Sequence, residues 1–466
     1  MNFRQLFREA KSDLYYSLLI ILCLIGCVMI AAIISPQTIT KFLSISQLPN
    51  TPVDTPSHQY YWDARHYATL ILEKTCSAFY PLWPLIVKII FNPLTVDSFV
   101  SYARFTSVII FLFTTPLLFR VFRLALNNDV TIAFLAMLTY TLNPNTIFRL
   151  NGYTEGWFTL LSTIFIWALL PSNRLNNGLK LTILSGVAFL MGMSRSVVVQ
   201  ILAAGVGAIL TISIFKILKE FNSSKNRWKV QDLFHYYKFE FFTTLLTSLS
   251  VGAGYVVYGL YCLKNRGDFF APFADQQHWN KKLGIHPELL LYPKSLLFDF
   301  FGLYYPLIFL AIALLISLSF ASVQRINIFV PSLKIWNISI LYPPLLLGLY
   351  LGRYWQWKNR INDISYKKFM QPFVESSVTD FISKNYLFWF CTYFSVSHSL
   401  IIFFTQDRLY SLARYVFSLP FFFLTLGYIY LSLGKRLNFA VYIVIIISIV
   451  SSIIQWIDYG QNAWLG

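Results

Sequence analysis

Long apolar runs separated by short polar segments dominate the pattern of this chain. Several runs reach or exceed the roughly 20 residues that a helix needs to cross a hydrocarbon core of about 30 Å, and shorter ones extend into weakly polar flanks. The pattern predicts an all-α polytopic membrane protein with about 11 transmembrane helices. The predicted spans are Tyr15–Ile34, Val108–Phe119, Thr131–Leu142, Trp157–Leu170, Leu179–Met191, Val197–Ile217, Phe241–Leu263, Ser295–Phe320, Tyr386–Phe404, Tyr415–Leu433 and Phe439–Ile454.

Composition supports the same class. Hydrophobic residues make up 56% of the 466 residues and charged residues only 12%, and the mean hydropathy is +0.58. These values are too apolar for a soluble globular chain. Because the polar segments are shorter than an independent domain requires, we expect residues 1–466 to form a single integral membrane domain. The first run has no convincing cleavage site after it, so we expect an uncleaved first span.

The formal net charge of +17 follows from basic clusters after alternate apolar runs. Basic residues concentrate in cytoplasmic loops of membrane proteins, so the alternation predicts a cytoplasmic N-terminus. This explanation replaces nucleic-acid binding, which the same charge would suggest in a soluble protein. The clusters are Arg4, Arg8 and Lys11; Arg120 and Arg123; Arg174 and Lys180; and Lys216, Lys219, Lys225, Arg227 and Lys229.

The same alternation predicts which segments lie outside the cytoplasm. These are a first outer loop at 36–100, a second large outer loop at 264–294, and two turns around Glu155 and Arg195. The two loops are long enough to build a site, and the two turns would lie at the membrane edge beside them. We therefore expect the functional residues to lie on this outer face.

The segment 336–352 is harder to orient, because Pro343-Pro344 interrupts its apolar run. We interpret it as re-entrant or interfacial, and the basic loop at 353–384 after it as cytoplasmic. That choice places Asp407 and Arg408 outside, whereas a full crossing at 338–352 would place them on the cytoplasmic side.

The spacing of the five cysteines matches no metal or disulfide framework. A bridge between Cys76 and Cys262 is conceivable. No His, Asp and Glu cluster with metal-ligand spacing occurs in the outer loops either, so we predict no metal and no cofactor.

The first outer loop contains Trp62, Asp63, Arg65, His66 and Tyr67 within six residues. In a helix, Asp63, His66 and Tyr67 would share one face, because residues three and four apart are neighbours. Aromatic residues such as Trp62 seat interfacial helices at the headgroup level. An acid beside a histidine could act on a lipid-borne substrate, but Asp63 could equally cap the helix or pair with Arg65.

Three further charged positions stand at the predicted outer ends of spans. Glu155 could be functional or could only complement a helix N-terminus. Arg195, between two apolar runs, suits a lipid phosphate and also suits simple snorkelling. Arg408 and Arg414, which open the tenth span, could form a second anion-binding point or a charged helix end.

Two aromatic segments add weaker signals. Phe79-Tyr80-Pro81-Leu82-Trp83-Pro84 favours a bend at the membrane edge, because prolines disfavour a straight helix. In the second outer loop, Gln277 stands close to Trp279. An indole ring that can stack on a pyranose next to amides that bind hydroxyls is typical of sugar recognition, although the signal is weak by itself.

In order and spacing these segments resemble the PIG-V family, which comprises the second GPI mannosyltransferase and its bacterial relatives within the GT-C superfamily. The chain departs from the family pattern in Tyr80 for a phenylalanine, in Thr154 for a serine, and in Val197-Val198 where eukaryotic members often have Asn-Gly. The resemblance rests on Trp62-Asp63, Phe79-Tyr80-Pro81 with Pro84, Tyr153-Thr154-Glu155, Ser194-Arg195-Ser196, Gly267-Asp268 up to Gln277 and Trp279, and Ser411 to Pro420.

The resemblance implies a GT-C-like bundle with interfacial helices in its outer loops. It implies a polyprenyl-phosphate-mannose donor, a glycolipid or glycan acceptor, and inversion at the sugar carbon. Asp63 would be the general base, with His66 and Glu155 as further catalytic candidates that position it or the acceptor. The substrate-binding candidates, of which the arginines at 195, 408 and 414 would hold the phosphate, are Trp62, Arg65, Tyr80, Tyr153, Arg195, Gln277, Trp279, Arg408 and Arg414.

Other functions stay open at this point. A lipid-linked oligosaccharide flippase would also need many spans and buried arginines, but it predicts charges near the bilayer midplane. The same fold could transfer another sugar, or could serve as a non-catalytic subunit of a glycosylation complex. We expect membrane lipids and an accessory membrane subunit as candidate partners, no nucleic acid, and a bacterial plasma membrane with a periplasmic site, or the endoplasmic reticulum if the chain is eukaryotic.

Overall fold

A computed structural model describes residues 3–43, 62–173, 175–221, 234–279, 284–290, 297–321, 382, 384–401, 404–405, 411–433 and 438–461. All regular secondary structure in these ranges is helical. The prediction of an all-α membrane protein is therefore confirmed. The predicted segment 336–352, nearly all of the loop 353–384, and Arg408 lie outside the described residues.

The helices follow the apolar runs closely. Short 3-10 helices at Asp275–Trp279 and Pro287–Leu290 accompany the α-helices. The α-helices are α1 Phe3–Ile34, α2 Gln37–Leu43, α3 Trp62–Leu72, α4 Leu82–Phe91, α5 Val96–Ala125, α6 Val130–Thr141, α7 Thr146–Leu150, α8 Thr154–Leu169, α9 Asn177–Ser194, α10 Val198–Phe221, α11 Lys238–Arg266, α12 Ala271–Ala274, α13 Leu297–Ala321, α14 Tyr386–Ile401, α15 Leu412–Phe417, α16 Pro420–Leu433 and α17 Asn438–Gly460.

Among the described residues, five helices contain a stretch long and apolar enough to cross a membrane. Shorter apolar helices, including Thr154–Leu169 and Pro420–Leu431, accompany them, so the count of about 11 crossings stays a prediction. One predicted span is divided: the run Tyr415–Leu433 breaks at residues 418–419 into α15 and α16. Pro420 opens α16, where its missing N–H would have had no intrahelical partner.

Helices α9 and α11 cross with their backbones in contact. A Cβ on Gly192 would meet the carbonyl oxygen of Val251, and a Cβ on Gly254 would meet that of Phe189. Small residues on facing helices permit this close approach, which dispersion contacts then stabilise. The crossing lies one turn before the end of α9, where a site residue follows.

One end of the bundle contains a buried ion cluster around Arg123. Its guanidinium binds Asp13 through two nitrogens, at 2.7 and 3.1 Å, and reaches Glu9 at 3.4 Å and the Asn128 amide oxygen at 3.0 Å. Asp13 belongs to α1 and Arg123 to the last turn of α5. This cluster joins α1, α5 and the turn before α6 at the end predicted to be cytoplasmic.

A disulfide joins Cys76, just after α3, to Cys262 near the end of α11, with the two Cα atoms 5.5 Å apart. The Cys76–Cys262 bridge that the sequence left open is therefore present, although the cysteine spacing matched no disulfide framework. Frameworks are recognised by short spacings, whereas these two residues are 186 positions apart and meet only because α3 and α11 end at the same side of the bundle.

Candidate functional site

Charged side chains from α3, α8 and α15, together with the residue that follows α9, meet at the end of the bundle opposite Arg123. Arg414 Nη2 lies 2.6 Å from Asp63 Oδ2, and Arg414 Nε lies 2.5 Å from Glu155 Oε1. Arg195 Nη2 reaches the same Glu155 oxygen at 2.9 Å. We call this arrangement Asp63–Arg414–Glu155–Arg195 the ion-pair chain. It brings together one predicted base, one further catalytic candidate and two predicted phosphate contacts.

Local backbone geometry places Glu155 in this chain. Gly152 has φ +81°, and Tyr153 is extended, so α8 starts at Thr154 and Glu155 stands in its first turn. A carboxylate there is favoured by the unpaired N–H groups of the helix N-terminus. The indole N–H of Trp83 donates to the Gly152 carbonyl at 2.8 Å and fixes the turn from α4.

The burial of the ion-pair chain is graded from Glu155 outwards. The Glu155 side chain is 0% exposed, Arg414 is 8% exposed and Arg195 is 12% exposed, whereas Asp63 is 18% exposed. Two carboxylates and two guanidiniums balance in charge, which makes their burial tolerable. Glu155 is thus the most deeply buried member, and Asp63 is the more exposed of the two carboxylates.

Aromatic rings form the walls around both arginines. The Arg414 guanidinium lies 4.9 Å from the Phe148 ring centroid and 4.6 Å from that of Tyr153. Arg195 lies 5.2 Å from the ring of Tyr415. Such faces attract a cation and exclude water, so the charges act in a medium of low polarity.

Three other residues of α3, namely Arg65, His66 and Tyr67, lie next to Asp63 in the sequence. His66 stacks on Phe79 with ring centroids 4.9 Å apart, and the Tyr67 hydroxyl lies 3.2 Å from the Thr154 hydroxyl. Burial lowers the pKa of His66 below its ordinary value, against the opposing effect of the nearby Asp63 carboxylate. The lowered pKa favours the neutral form of the imidazole. Arg65 is half-buried on the same helix.

Tyr80 and Gln277 lie apart from the ion-pair chain. Tyr80 is buried, and its ring centroid lies 5.2 Å from that of Tyr258 on α11. Gln277 is exposed on the 3-10 helix Asp275–Trp279. Among the described contacts, neither side chain touches a charged residue of the ion-pair chain.

Three other predicted substrate residues fall outside the description wholly or in part. Trp62 begins α3, but its side chain is not among those described, nor is that of Trp279. Arg408 lies outside the described residues altogether.

In the described part of the chain, no three His, Cys, Asp or Glu side chains gather in a way that could hold a metal ion. The absence of a metal or cofactor stays a prediction. The groups available for chemistry are the carboxylates, guanidiniums and neutral imidazole of the site.

Sequence reasoning did not find the pairing between Asp63 and Arg414 or the role of Phe148 as a wall. Both depend on the position of α15, which packs against α13 and α14 and lies far from α3 in the sequence. No local spacing could reveal these contacts. The only sequence signal was the basic residue of α15 itself.

The fold and site define an integral membrane protein with a buried charged site at one end of a helical bundle. The mannosyltransferase (PIG-V) family matches residues 14–283, which is more than half of the chain. The chain belongs to this family, and it is therefore a glycosyltransferase that transfers mannose. No curated protein and no solved structure matches it. The matched range contains Asp63, Glu155 and Arg195, whereas Arg414 lies beyond it.

Proposed function

We propose that this protein transfers mannose from a polyprenyl-phosphate-linked donor to a hydroxyl group of a glycolipid or glycan acceptor, with inversion. Asp63 is the general base of the reaction. The single observation that carries the proposal is the ion-pair chain, in which the most exposed carboxylate lies 2.6 Å from an arginine able to bind phosphate. A base and an anion site side by side are what transfer from a sugar phosphate requires.

The chemical step is one displacement at the anomeric carbon. The acceptor hydroxyl attacks from the face opposite the phosphate and forms the new C–O bond while Asp63 takes the hydroxyl proton. The bond between the anomeric carbon and the phosphate oxygen breaks, and its electron pair leaves with polyprenyl phosphate. The guanidiniums of Arg195 and Arg414 bind the growing negative charge in a low-dielectric site, where such contacts are strong.

Two features support an outer-face site, in the periplasm or a lumen. Structural disulfides persist in oxidising compartments, and Cys76–Cys262 lies at the same end of the bundle as Asp63. The opposite end contains Arg123, in a region where basic residues concentrate as they do on the cytoplasmic side. A donor presented from the outer leaflet would reach Asp63 without crossing the bundle.

The test is transfer of radiolabelled mannose from polyprenyl-phosphate-mannose to a membrane lipid extract by the purified, reconstituted protein. General bases typically contribute 10²- to 10⁴-fold, so Asp63→Asn should lower the rate by about 10³-fold. The control is Asp97→Asn, which removes an exposed acid in the first turn of α5 at the same end and should keep the wild-type rate.

Equal transfer by wild type and Asp63→Asn would remove Asp63 from the base role. Absence of transfer by the wild type with this donor, together with transfer from another polyprenyl-phosphate sugar, would overturn the donor assignment. Movement of lipid-linked oligosaccharide across vesicles without any transfer would favour a flippase instead.

A further inference from the structure

We propose that Asp63 and the donor phosphate are alternative partners of Arg414, so that Asp63 becomes a free base only when the donor is bound. The inference rests on the proposed function and concerns the order of events in the same site. Arg414 is its switching element.

The Arg414 guanidinium serves two acids with different nitrogens. Its Nε binds Glu155, and its Nη2 binds Asp63 at 2.6 Å. The contact with Glu155 is fully buried, which anchors one edge of the guanidinium. The contact with Asp63 is on the more exposed side, so it is the one that an incoming anion can replace.

The site also has a donor ready for a phosphate oxygen. Arg195 Nη1 is buried and has no hydrogen-bond partner, although Nη2 of the same guanidinium binds Glu155. A buried unpaired donor is costly, and a ligand oxygen would satisfy it. Arg195 Nη2 and Arg414 Nε bind the same oxygen of Glu155. The distance between these two nitrogens therefore cannot exceed the sum of the two hydrogen-bond lengths. A phosphate group can therefore contact both.

The balance of charge in the site supports the same order of events. Two carboxylates already balance two guanidiniums, so a bound phosphodiester adds one uncompensated negative charge. While Asp63 is paired with Arg414, the guanidinium occupies one of its carboxylate oxygens. When the phosphate takes Arg414, that oxygen becomes available and accepts the proton of the acceptor hydroxyl. The proton neutralises Asp63 as the leaving phosphate gains its second negative charge. Arg414 then lies beside the phosphate dianion and no longer beside a charged Asp63.

The test is a double-mutant cycle on the binding of polyprenyl phosphate, which has no sugar to transfer. Asp63→Asn should tighten binding about tenfold, since pairs in one ion network couple strongly. In an Arg414→Gln background the same Asp63→Asn change should have no effect. Asp97→Asn is the control for loss of an acid at this end of the molecule and should leave affinity unchanged.

Two results would overturn the inference. Equal tightening in both backgrounds would mean that Asp63 only repels the phosphate, and no tightening in either would mean that the two do not compete. Should Arg414→Gln fail to fold, difference infrared spectra of the wild type provide the second measurement. Adding polyprenyl phosphate should then shift a carboxylate band that Asp63→Asn lacks, and an unshifted band would refute the exchange.

Failure of the inference and failure of the proposed function are distinguishable. Mannose transfer that depends on Asp63, combined with no coupling in the binding cycle, would leave the proposed function intact and remove the exchange. Coupling in the cycle without any mannose transfer would keep the phosphate site and overturn the proposed donor.

Discussion

Glu155→Gln is the most informative single change for the architecture of the site. The amide keeps the shape of the carboxylate but removes its charge, while Oε1 of Glu155 is the acceptor for both Arg195 and Arg414. The amide oxygen can still accept hydrogen bonds from both guanidiniums, so the loss comes from the missing charge. Removing one partner of a buried ion pair costs about 3–5 kcal/mol, so we expect a loss of about 4 kcal/mol.

The loss should be visible as a fall in the thermal unfolding temperature of the purified protein in detergent. Domains of 150–250 residues lose about 2–4 °C per kcal/mol and longer chains lose less, so we expect a fall of about 5–10 °C. Glu73→Gln removes an exposed acid just after α3 and should leave the unfolding temperature unchanged. If Glu155→Gln unfolded at the wild-type temperature, the ion-pair chain would not be a stabilising element and its geometry would need revision.

Three further changes test other parts of the molecule. Cys262→Ser should abolish the shift in gel mobility on reduction and, since native disulfides contribute about 2–5 kcal/mol, lower the unfolding temperature; an unchanged shift would contradict the bridge. Asp13→Asn should destabilise the protein through Arg123 by about 3 kcal/mol, with mannose transfer per folded molecule unchanged, as an assay corrected for folded fraction would measure. Trp83→Phe loses the hydrogen bond to the Gly152 carbonyl and should cost about 1–2 kcal/mol in chemical denaturation; a cost near zero would mean that the turn is held by other contacts.

The fold could be predicted from the sequence because helix formation in a membrane is a local requirement. Without water, each backbone polar group must be satisfied inside its own segment, so an apolar run of sufficient length predicts a helix directly. The break between α15 and α16 was missed because hydropathy does not register a proline at the first position of a helix. Pro420 was the available signal.

The candidate site was only partly predictable. Topology indicated that Asp63, Glu155 and Arg195 lie at the same face, and the structure brings them together through Arg414. Which carboxylate each arginine would bind could not be derived, because the partners come from separate helices. For the same reason the bridge between Cys76 and Cys262 could only be left open. Long-range pairings depend on the packing of helices, which a single sequence does not reveal.

The glycine crossing of α9 and α11 has a consequence for where variation in substrate preference would arise. Arg195 follows α9 directly, three residues after Gly192, and Gly192 fits only against the backbone of α11. Helix α11 provides none of the four charges of the ion-pair chain, yet its path through the membrane sets where one of them lies. A larger residue at Gly254 would displace the guanidinium without touching it. Changes at this crossing therefore act on the site through helix packing, from a helix that contributes no charge to it.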